Sequence, residues 1–234
     1  MNDRALTEMQ WFIHNYADKI DKNIITVLDV GSLDVNGSFK PLFNQLYQLN
    51  RYKYYGLDIA EGRNVDYIPD NIYSWDLPND RFDIVISGHT LEHCEFPWVT
   101  MSEMARVLKK DGLLCLIVPR GYRDHKYPTD CYRYLSDGVT ALAKYTGLEV
   151  LHVSSNEAPT RDDTVWYSRD FSDTILIARK PYLGKTRIID LNKPYTLTPT
   201  KANNFIPYNK RKRTSRDIIS SIFKEISNYI LYKQ

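Results

Sequence analysis

Apolar runs alternate with amphipathic stretches along most of this chain. Continuous apolar runs indicate buried strands, whereas apolar positions spaced three or four residues apart indicate helices. The pattern predicts strands at residues 25–30, 54–58, 65–68, 82–87, 113–118, 148–154 and 174–178, and helices near the N-terminus and at 39–50, 97–109 and 136–146. This order predicts an open, mostly parallel α/β sheet of seven strands with helices on both faces. The N-terminal helix covers either the ligand end or, as we expect, the sheet edge.

Acids follow the first two strands at positions typical of nucleotide-binding α/β domains. Asp29 and Gly31 form the end of the first strand, and Asp58 ends the second, 27 positions after the glycine. Such a pattern predicts a nucleoside-containing cofactor. Leu33 replaces the second glycine of a pyrophosphate-binding turn and Asp34 follows it, which favours a cationic cofactor without phosphate, S-adenosylmethionine. The alternative is that Asp29 and Asp34 only cap a turn or helix.

Further segments occur in the order seen in one enzyme family. They are Trp75-Asp76-Leu77-Pro78, Gly88-His89-Thr90-Leu91-Glu92-His93, and Glu103-Met104-Ala105-Arg106-Val107-Leu108-Lys109-Lys110-Asp111-Gly112 followed by an apolar strand. Together with the first turn, they closely resemble the class I S-adenosylmethionine-dependent methyltransferases, in particular the small-molecule branch. The resemblance covers roughly residues 24–180 and implies their Rossmann-like sheet.

The resemblance also implies roles for individual residues. Asp29 and Gly31 would line the methionine end of S-adenosylmethionine, and Asp58 would bind the ribose diol. Asp76 and Leu77 would meet the adenine, although Asp-Leu-Pro is also an ordinary loop sequence. These roles agree in type with the chemistry, because a carboxylate accepts hydrogen bonds from both ribose hydroxyls.

Two segments follow the fourth and fifth predicted strands, where open α/β sheets bind their ligands. Residues 88–94 form the first, and residues 119–134 form the second. The second contains the predicted acceptor-binding residues Arg120, Tyr122, Arg123, Tyr127, Asp130 and Arg133. Interleaved Tyr and Arg suit sugars, phosphates or carboxylates, although they also form self-contained lids. The pattern H-x-Y-P-x-D-x-x-R at 125–133 resembles methyltransferases of glycan and natural-product gene clusters, which favours a saccharide or related metabolite.

Histidines in these two segments are the predicted catalytic residues. Methyl transfer depends mainly on aligning the acceptor, so that a base is optional. For a hydroxyl acceptor, a neutral histidine suits proton removal, and His89 and His125 are the preferred pair. His93 is expected only to begin or cap a helix, and a structural role is the alternative for all three.

Charge is distributed unevenly over the 234 residues. Residues 1–180, the predicted methyltransferase domain, carry a net charge of −6, whereas residues 181–234 carry +8. This extension contains a proline-bearing arm, the basic run 210–213 and an apolar stripe at helical spacing over 218–230. Beside the basic run, the stripe predicts an amphipathic helix that docks on its own domain or on a second subunit in a homodimer, or that contacts anionic lipid, nucleic acid or an acidic partner.

Three cysteines without a C-x-x-C pair predict neither disulfides nor a metal site. Because no apolar run approaches the about 20 residues of a transmembrane helix and the N-terminus does not look like a signal peptide, we expect a cytoplasmic protein. The leading functional prediction is O-methylation of a small polar acceptor. The alternatives are methylation of nitrogen or of nucleic acid, and an inactive methyltransferase-like scaffold that binds a partner.

Overall fold

Four helices and six strands make up the part of the chain that the computed structural model describes, residues 3–45, 51–155 and 172–182. The helices are α1 (Asp3–Asn15), α2 (Lys40–Gln45), α3 (Pro97–Val107) and α4 (Ser136–Tyr145). The strands are β1 (Ile25–Val30), β2 (Tyr52–Leu57), β3 (Phe82–Gly88), β4 (Leu108–Gly121), β5 (Glu149–Ser155) and β6 (Ser172–Arg179). Short 3-10 turns lie at Ala17–Lys19 and Leu91–His93.

The strands form one mixed sheet in the order β2-β1-β3-β4-β6-β5. β1 pairs in parallel with both β2 and β3, and β3 pairs in parallel with β4. β6 runs antiparallel to both of its neighbours. The carboxyl ends of β1, β2, β3 and β4 therefore meet at one edge of the sheet, which is where ligands bind in this class of fold.

Hydrophobic cores lie on both faces of the sheet because alternate side chains of each strand point in opposite directions. Leu28 and Val30 of β1 pack with the buried side chains of α3 and α4. Ile25 and Val27 pack on the other face with those of α1 and α2. Met9, Phe12 and Ile13 of α1 are fully buried there, so the first helix packs on a face of the sheet rather than on its edge or at its ligand end.

The predicted strand at residues 65–68 is wrong. Tyr67 forms only an isolated parallel bridge with Leu57, and the backbone N–H groups of Asp66 and Tyr67 both donate to the Gly56 carbonyl. Pro69 follows directly and has no N–H to extend a ladder. The segment also comes too soon after β2 for a crossover helix. The described sheet consequently has six strands rather than seven.

The other predicted strands and helices are confirmed, with shifts of their ends. β1 has its predicted bounds, whereas β4 is longer at both ends than the run at 113–118 indicated. The extension at 183–234, including the predicted basic helix, lies outside the described residues, as does the end of the helix expected at 39–50. Among the residues described, no helix is long and apolar enough to span a membrane.

Candidate functional site

A large pocket opens at the carboxyl ends of the four parallel strands. Its volume is about 990 Å³, at the upper end of the range for small-molecule sites. The lining comes from the loops that follow β1, β2, β3 and β4 and from the segment around Trp75. The pocket therefore joins the predicted cofactor segments to the two predicted acceptor segments in one continuous space.

Gly31 shapes the turn after β1. Its φ of +81° lies in the left-handed region, and a Cβ atom there would lie 1.9 Å from Oγ1 of Thr90. The Gly31 N–H donates to the Leu57 carbonyl of β2 at 2.8 Å. A side chain is thus excluded on steric and conformational grounds, and the backbone of the turn lines the pocket together with Leu33.

Asp58 lies at the end of β2 and lines the pocket as predicted. Its Oδ2 accepts a 2.9 Å hydrogen bond from the Leu33 N–H, and its Oδ1 accepts one of 2.7 Å from the Ile59 N–H. These backbone donors fix the carboxylate between the loops that follow β1 and β2. Because two carboxylate oxygens offer about four acceptor positions, Asp58 retains the capacity to accept hydrogen bonds from a ligand.

Asp29 and Asp34 do not line the pocket, contrary to the predicted cofactor contacts. Asp29 is 2% exposed and accepts a hydrogen bond from the Tyr54 hydroxyl; its Oδ1 has no hydrogen-bond partner among the described residues. Burial raises the pKa of Asp29 to about 7, against the lowering effect of Tyr54. Asp34 accepts from the Gly37 N–H and pairs with Arg63, which is the turn-capping role given above as the alternative.

The predicted adenine contacts are displaced by a few residues. Asp76 is exposed to solvent and Leu77 is buried in the hydrophobic core under α3 and α4, and neither lines the pocket. Ile72, Tyr73 and Trp75 supply the apolar wall instead. The Trp75 backbone N–H donates to Glu103 at 2.7 Å.

The predicted acceptor segment divides into pocket-lining and structural residues. Tyr122 and Tyr127 line the pocket with Lys126 and Thr129. The predicted contacts that do not line it are Arg120, Arg123, Asp130 and Arg133. Arg133 forms a bidentate ion pair with Asp130 at 2.6 and 2.8 Å and donates to the Tyr122 and Arg123 carbonyls. This pair therefore holds the loop in shape, which is the lid-type alternative for these two residues.

His89 lies between two acids and is poorly suited to be the predicted base. Its Nδ1 is 3.6 Å from Glu92 Oε1, and its Nε2 is 3.5 Å from Asp173 Oδ1. Burial opposes protonation, but Asp173 and Glu92 outweigh it and raise the pKa of His89 to about 9. The imidazole accordingly holds its proton near neutral pH and cannot accept another. Its φ of +54° places the side chain in the pocket wall.

His93 and His125 face each other across the pocket floor, with ring centroids 4.9 Å apart. The Nδ1 of His93 contacts the Thr129 carbonyl at 2.5 Å, and the Thr129 hydroxyl donates back to the His93 carbonyl at 2.6 Å. His125 is 35% exposed at its side chain and lines the pocket as predicted. The loops after β3 and β4 are thus joined where the histidines meet.

Sequence reasoning assigned no role to Glu92 and expected His93 only to begin or cap a helix, although both lie at this junction. Glu92 is fully buried, and its backbone carbonyl accepts hydrogen bonds from the Cys131 and Tyr132 N–H groups. The signal that could have identified the pair is an acid and a histidine adjacent in a loop after a buried strand, with a further histidine in the next such loop. Sequence reasoning also did not identify Tyr73 and Trp75 as pocket residues, because their aromatic side chains are typical of an ordinary core.

Comparison with known proteins agrees with this geometry. Residues 28–116 match the family model described as a methyltransferase domain. No curated protein matches the sequence. A methyltransferase structure from Bacillus halodurans, whose function is unproven, is 17% identical, covering 76% of this chain and 98% of its own, with a TM-score of 0.53.

Two further solved structures are similar. The 1,6-didemethyltoxoflavin-N1-methyltransferase of Burkholderia thailandensis, with 1,6-didemethyltoxoflavin and S-adenosylhomocysteine bound, is 14% identical over 77% of this chain and 80% of its own, with a TM-score of 0.55. A structure of the complex between the Haloferax volcanii Trm112 activator and its methyltransferase partner is also similar. It is 17% identical, covering 78% of this chain and 94% of its own, with a TM-score of 0.52. Residues 28–116 are therefore similar to a methyltransferase domain, and the described residues have the α/β fold of these methyltransferase structures.

Proposed function

We propose that this protein transfers the methyl group of S-adenosylmethionine to an oxygen atom of a small polar acceptor, such as a saccharide, a sugar derivative or a related metabolite. The observation that carries the proposal is the single pocket that runs from Gly31 and Asp58 to Tyr122 and Tyr127. One space of about 990 Å³ accommodates a nucleoside cofactor and a small acceptor side by side.

The residues at the cofactor end fit S-adenosylmethionine. Asp58 offers carboxylate oxygens for ribose hydroxyls, and Ile72, Tyr73 and Trp75 offer an apolar wall for the adenine. Lys126 is the only Lys or Arg among the described residues that line the pocket, so that little there would attract a pyrophosphate. When bound, S-adenosylmethionine supplies an activated methyl group on a cationic sulfonium.

The acceptor end carries groups that orient a polar molecule. Tyr122 and Tyr127 offer flat faces and hydroxyls, which suit a sugar ring, and Lys126 offers a positive charge that suits an anionic acceptor. Alignment of the acceptor oxygen behind the methyl group is the main contribution the protein can make to the rate. His125 stays the candidate proton acceptor of the predicted pair, since His89 holds its own proton.

Calorimetry with S-adenosylmethionine and S-adenosylhomocysteine tests the cofactor assignment. Asp58→Ala should weaken both by about tenfold or more, because it removes hydrogen bonds to a charged acceptor. Asp76→Ala is the matched control, and we expect it to bind like the unchanged protein because its side chain is exposed and outside the pocket. Tight NAD binding, or equal affinities in the two variants, would contradict the assignment.

An acceptor panel tests the reaction. Sugars, nucleotide sugars, amines and RNA are incubated with labelled S-adenosylmethionine, and the products are analysed by mass spectrometry. We expect methyl transfer to a hydroxyl of a sugar-type acceptor. Transfer only to nitrogen or to nucleic acid would replace the proposal with the corresponding alternative, and failure to bind S-adenosylmethionine at all would favour an inactive scaffold.

A further inference from the structure

Three metal-ligating side chains converge on the pocket floor at the junction of two loops. Glu92 and His93 end the loop after β3, and His125 belongs to the loop after β4. One donor atom of each residue lies within 4.8 Å of the other two. His93 and His125 also line the pocket, so the cluster borders the space proposed for the ligands.

Glu92 gives a second and independent reason to expect a cation. Its side chain is fully buried, and neither carboxylate oxygen has a hydrogen-bond partner among the described residues. Its Oε1 instead lies 3.7 Å from His93 Nε2 and 3.6 Å from His89 Nδ1, too far for strong hydrogen bonds. A buried carboxylate without hydrogen bonds is costly unless cations compensate it. Even a protonated His89 supplies only one positive charge to two buried carboxylates, Glu92 and Asp173, so a further cation beside Glu92 would lower the cost of its burial.

The backbone orients both histidines for coordination. His93 Nδ1 lies against the Thr129 carbonyl, which can only accept, so the ring nitrogen there carries the hydrogen. His125 Nδ1 lies 3.4 Å from the Arg123 carbonyl and 3.6 Å from Asp130 Oδ2, which are also acceptors. Each neutral ring is therefore left with its lone pair on Nε2. A hydrogen bond from the opposite ring nitrogen to a carbonyl or carboxylate is the usual arrangement for histidine ligands of metals.

We propose that Glu92, His93 and His125 bind a divalent transition-metal ion, with zinc as the first candidate. Two imidazoles and one carboxylate form a ligand set found in zinc enzymes that keep an open coordination position. Ligand atoms around tetrahedral zinc are separated by about 3.4 Å, given bonds of about 2.1 Å. The cluster must contract by about an ångström, which movement of the half-exposed His125 can supply.

This site differs from the expectation of no metal, which considered only cysteine spacing. His89 and Asp173 adjoin it on the side of Glu92, where they position the carboxylate rather than bind the ion. Because His93 and His125 line the pocket, an open coordination position on the ion would face it. If the proposed function holds, on which this step rests, an acceptor oxygen would bind the metal ion at an open coordination position. The ion would then favour the ionised form of that oxygen. His125 would then be a ligand and not a base.

Metal content tests the site without reference to activity. Untagged full-length protein is stripped with a chelator, dialysed against Zn²⁺, Mn²⁺ or Mg²⁺, and analysed by inductively coupled plasma mass spectrometry and calorimetry. We expect one tightly bound Zn²⁺ per chain and weaker Mg²⁺ binding. Glu92→Gln, His93→Gln and His125→Gln should each weaken Zn²⁺ binding by tenfold or more.

Matched controls are His152→Gln and Glu149→Gln, which lie on β5 away from the pocket and should bind Zn²⁺ like the unchanged protein. His125→Gln is the decisive variant, since its side chain is 35% exposed and its loss should leave the fold intact in thermal melts. Absence of bound metal, or equal binding in ligand and control variants, would overturn the proposal. S-adenosylmethionine affinity of the stripped protein is measured separately, so failure of the metal site and failure of the proposed function are distinguishable.

Discussion

Acids at the ends of β1 and β2 have opposite environments. Asp58 is half-buried and accepts hydrogen bonds from backbone N–H groups, whereas Asp29 is almost completely buried and accepts one from Tyr54. Since desolvation disfavours the charged form, it raises the pKa of Asp29 to about 7. The two carboxylates that looked equivalent in the sequence therefore have different physical roles, and only Asp58 faces the pocket.

Asp29→Asn should stabilise the fold in a pH-dependent way. The pKa of Asp29 in the folded protein is raised above its unfolded value of about 3.9. The free energy of unfolding that Asp29 contributes is therefore fully present below about pH 3.9 and is lost as the pH rises through about 7. An amide avoids this loss and can still accept from Tyr54. We expect the variant to gain about 1–2 kcal/mol over the unchanged protein at pH 8 and much less at pH 5 in urea denaturation. An equal difference at both pH values would contradict the assignment.

The turn between β1 and α2 depends on an element distant in sequence. Thr90, in the loop after β3, occupies the space where a side chain at position 31 would lie, and its hydroxyl donates to the Val30 carbonyl at 3.1 Å. Two neighbouring strands thus define the turn after β1 together. A strand-turn motif that looks local is in fact fixed by contact with the next parallel strand.

Gly31→Ala should destabilise the protein by about 2–3 kcal/mol, because alanine is strained at positive φ and collides with Thr90. Gly138→Ala in α4 is the control, because a Cβ there meets nothing within 4 Å and alanine favours helix, giving a gain of up to about 1 kcal/mol. Chemical denaturation measures both. Unchanged stability in Gly31→Ala would refute the steric argument.

At the scale of the molecule, the buried acid Asp83 connects the segment before β1 to the strands β1, β3 and β4 through hydrogen bonds and ion pairs. Asp83 of β3, 4% exposed at its side chain, accepts from Lys22, from the N–H and hydroxyl of Thr26 in β1, and from Lys109 in β4. Although burial opposes it, these donors hold the pKa of Asp83 well below its usual range. The cluster lies at the edge opposite the pocket, so it should affect stability without affecting ligands.

Acid should therefore weaken the fold through Asp83. A depressed folded-state pKa contributes stability that is present above the unfolded value of about 3.9 and is lost as pH falls below it. We expect Asp83→Asn to cost about 1–2 kcal/mol at pH 7 and progressively less towards pH 3, with S-adenosylmethionine affinity unchanged. Urea denaturation across this pH range tests it, with the exposed Asp76→Asn as control. A cost independent of pH would contradict the linkage.

The basic extension gives a separate prediction for the whole chain. Deleting residues 210–234 should leave S-adenosylmethionine affinity nearly intact, because the residues that line the pocket lie between Val30 and Thr129. The apolar stripe at 218–230 should be needed for the oligomeric state or for partner binding. Light scattering and calorimetry on both forms measure this. Identical mass and partner retention would show that the extension is dispensable for assembly.

Predictions from the sequence were best where they depended on local pattern. The bounds of β1, the turn at Gly31 and the acid at Asp58 follow from a buried strand, a glycine and the spacing to the next strand. The positions of these features are indicated locally, since side-chain periodicity and backbone freedom act over a few residues, whereas the conformation of the turn also depends on contact with Thr90. The pocket position at the carboxyl edge follows from parallel topology, which the α/β alternation indicated.

Only the tertiary structure decided which polar residues face one another. Local sequence cannot show that Trp75 rather than Asp76 lines the pocket, because the conformation of this segment depends on contacts with residues distant in sequence, such as the hydrogen bond from the Trp75 N–H to Glu103. It also cannot show that Glu92 is buried beside His125, which is 33 positions further along the chain. Parallel pairing of β3 with β4 brings their following loops together, so this chemistry exists only after the sheet has formed.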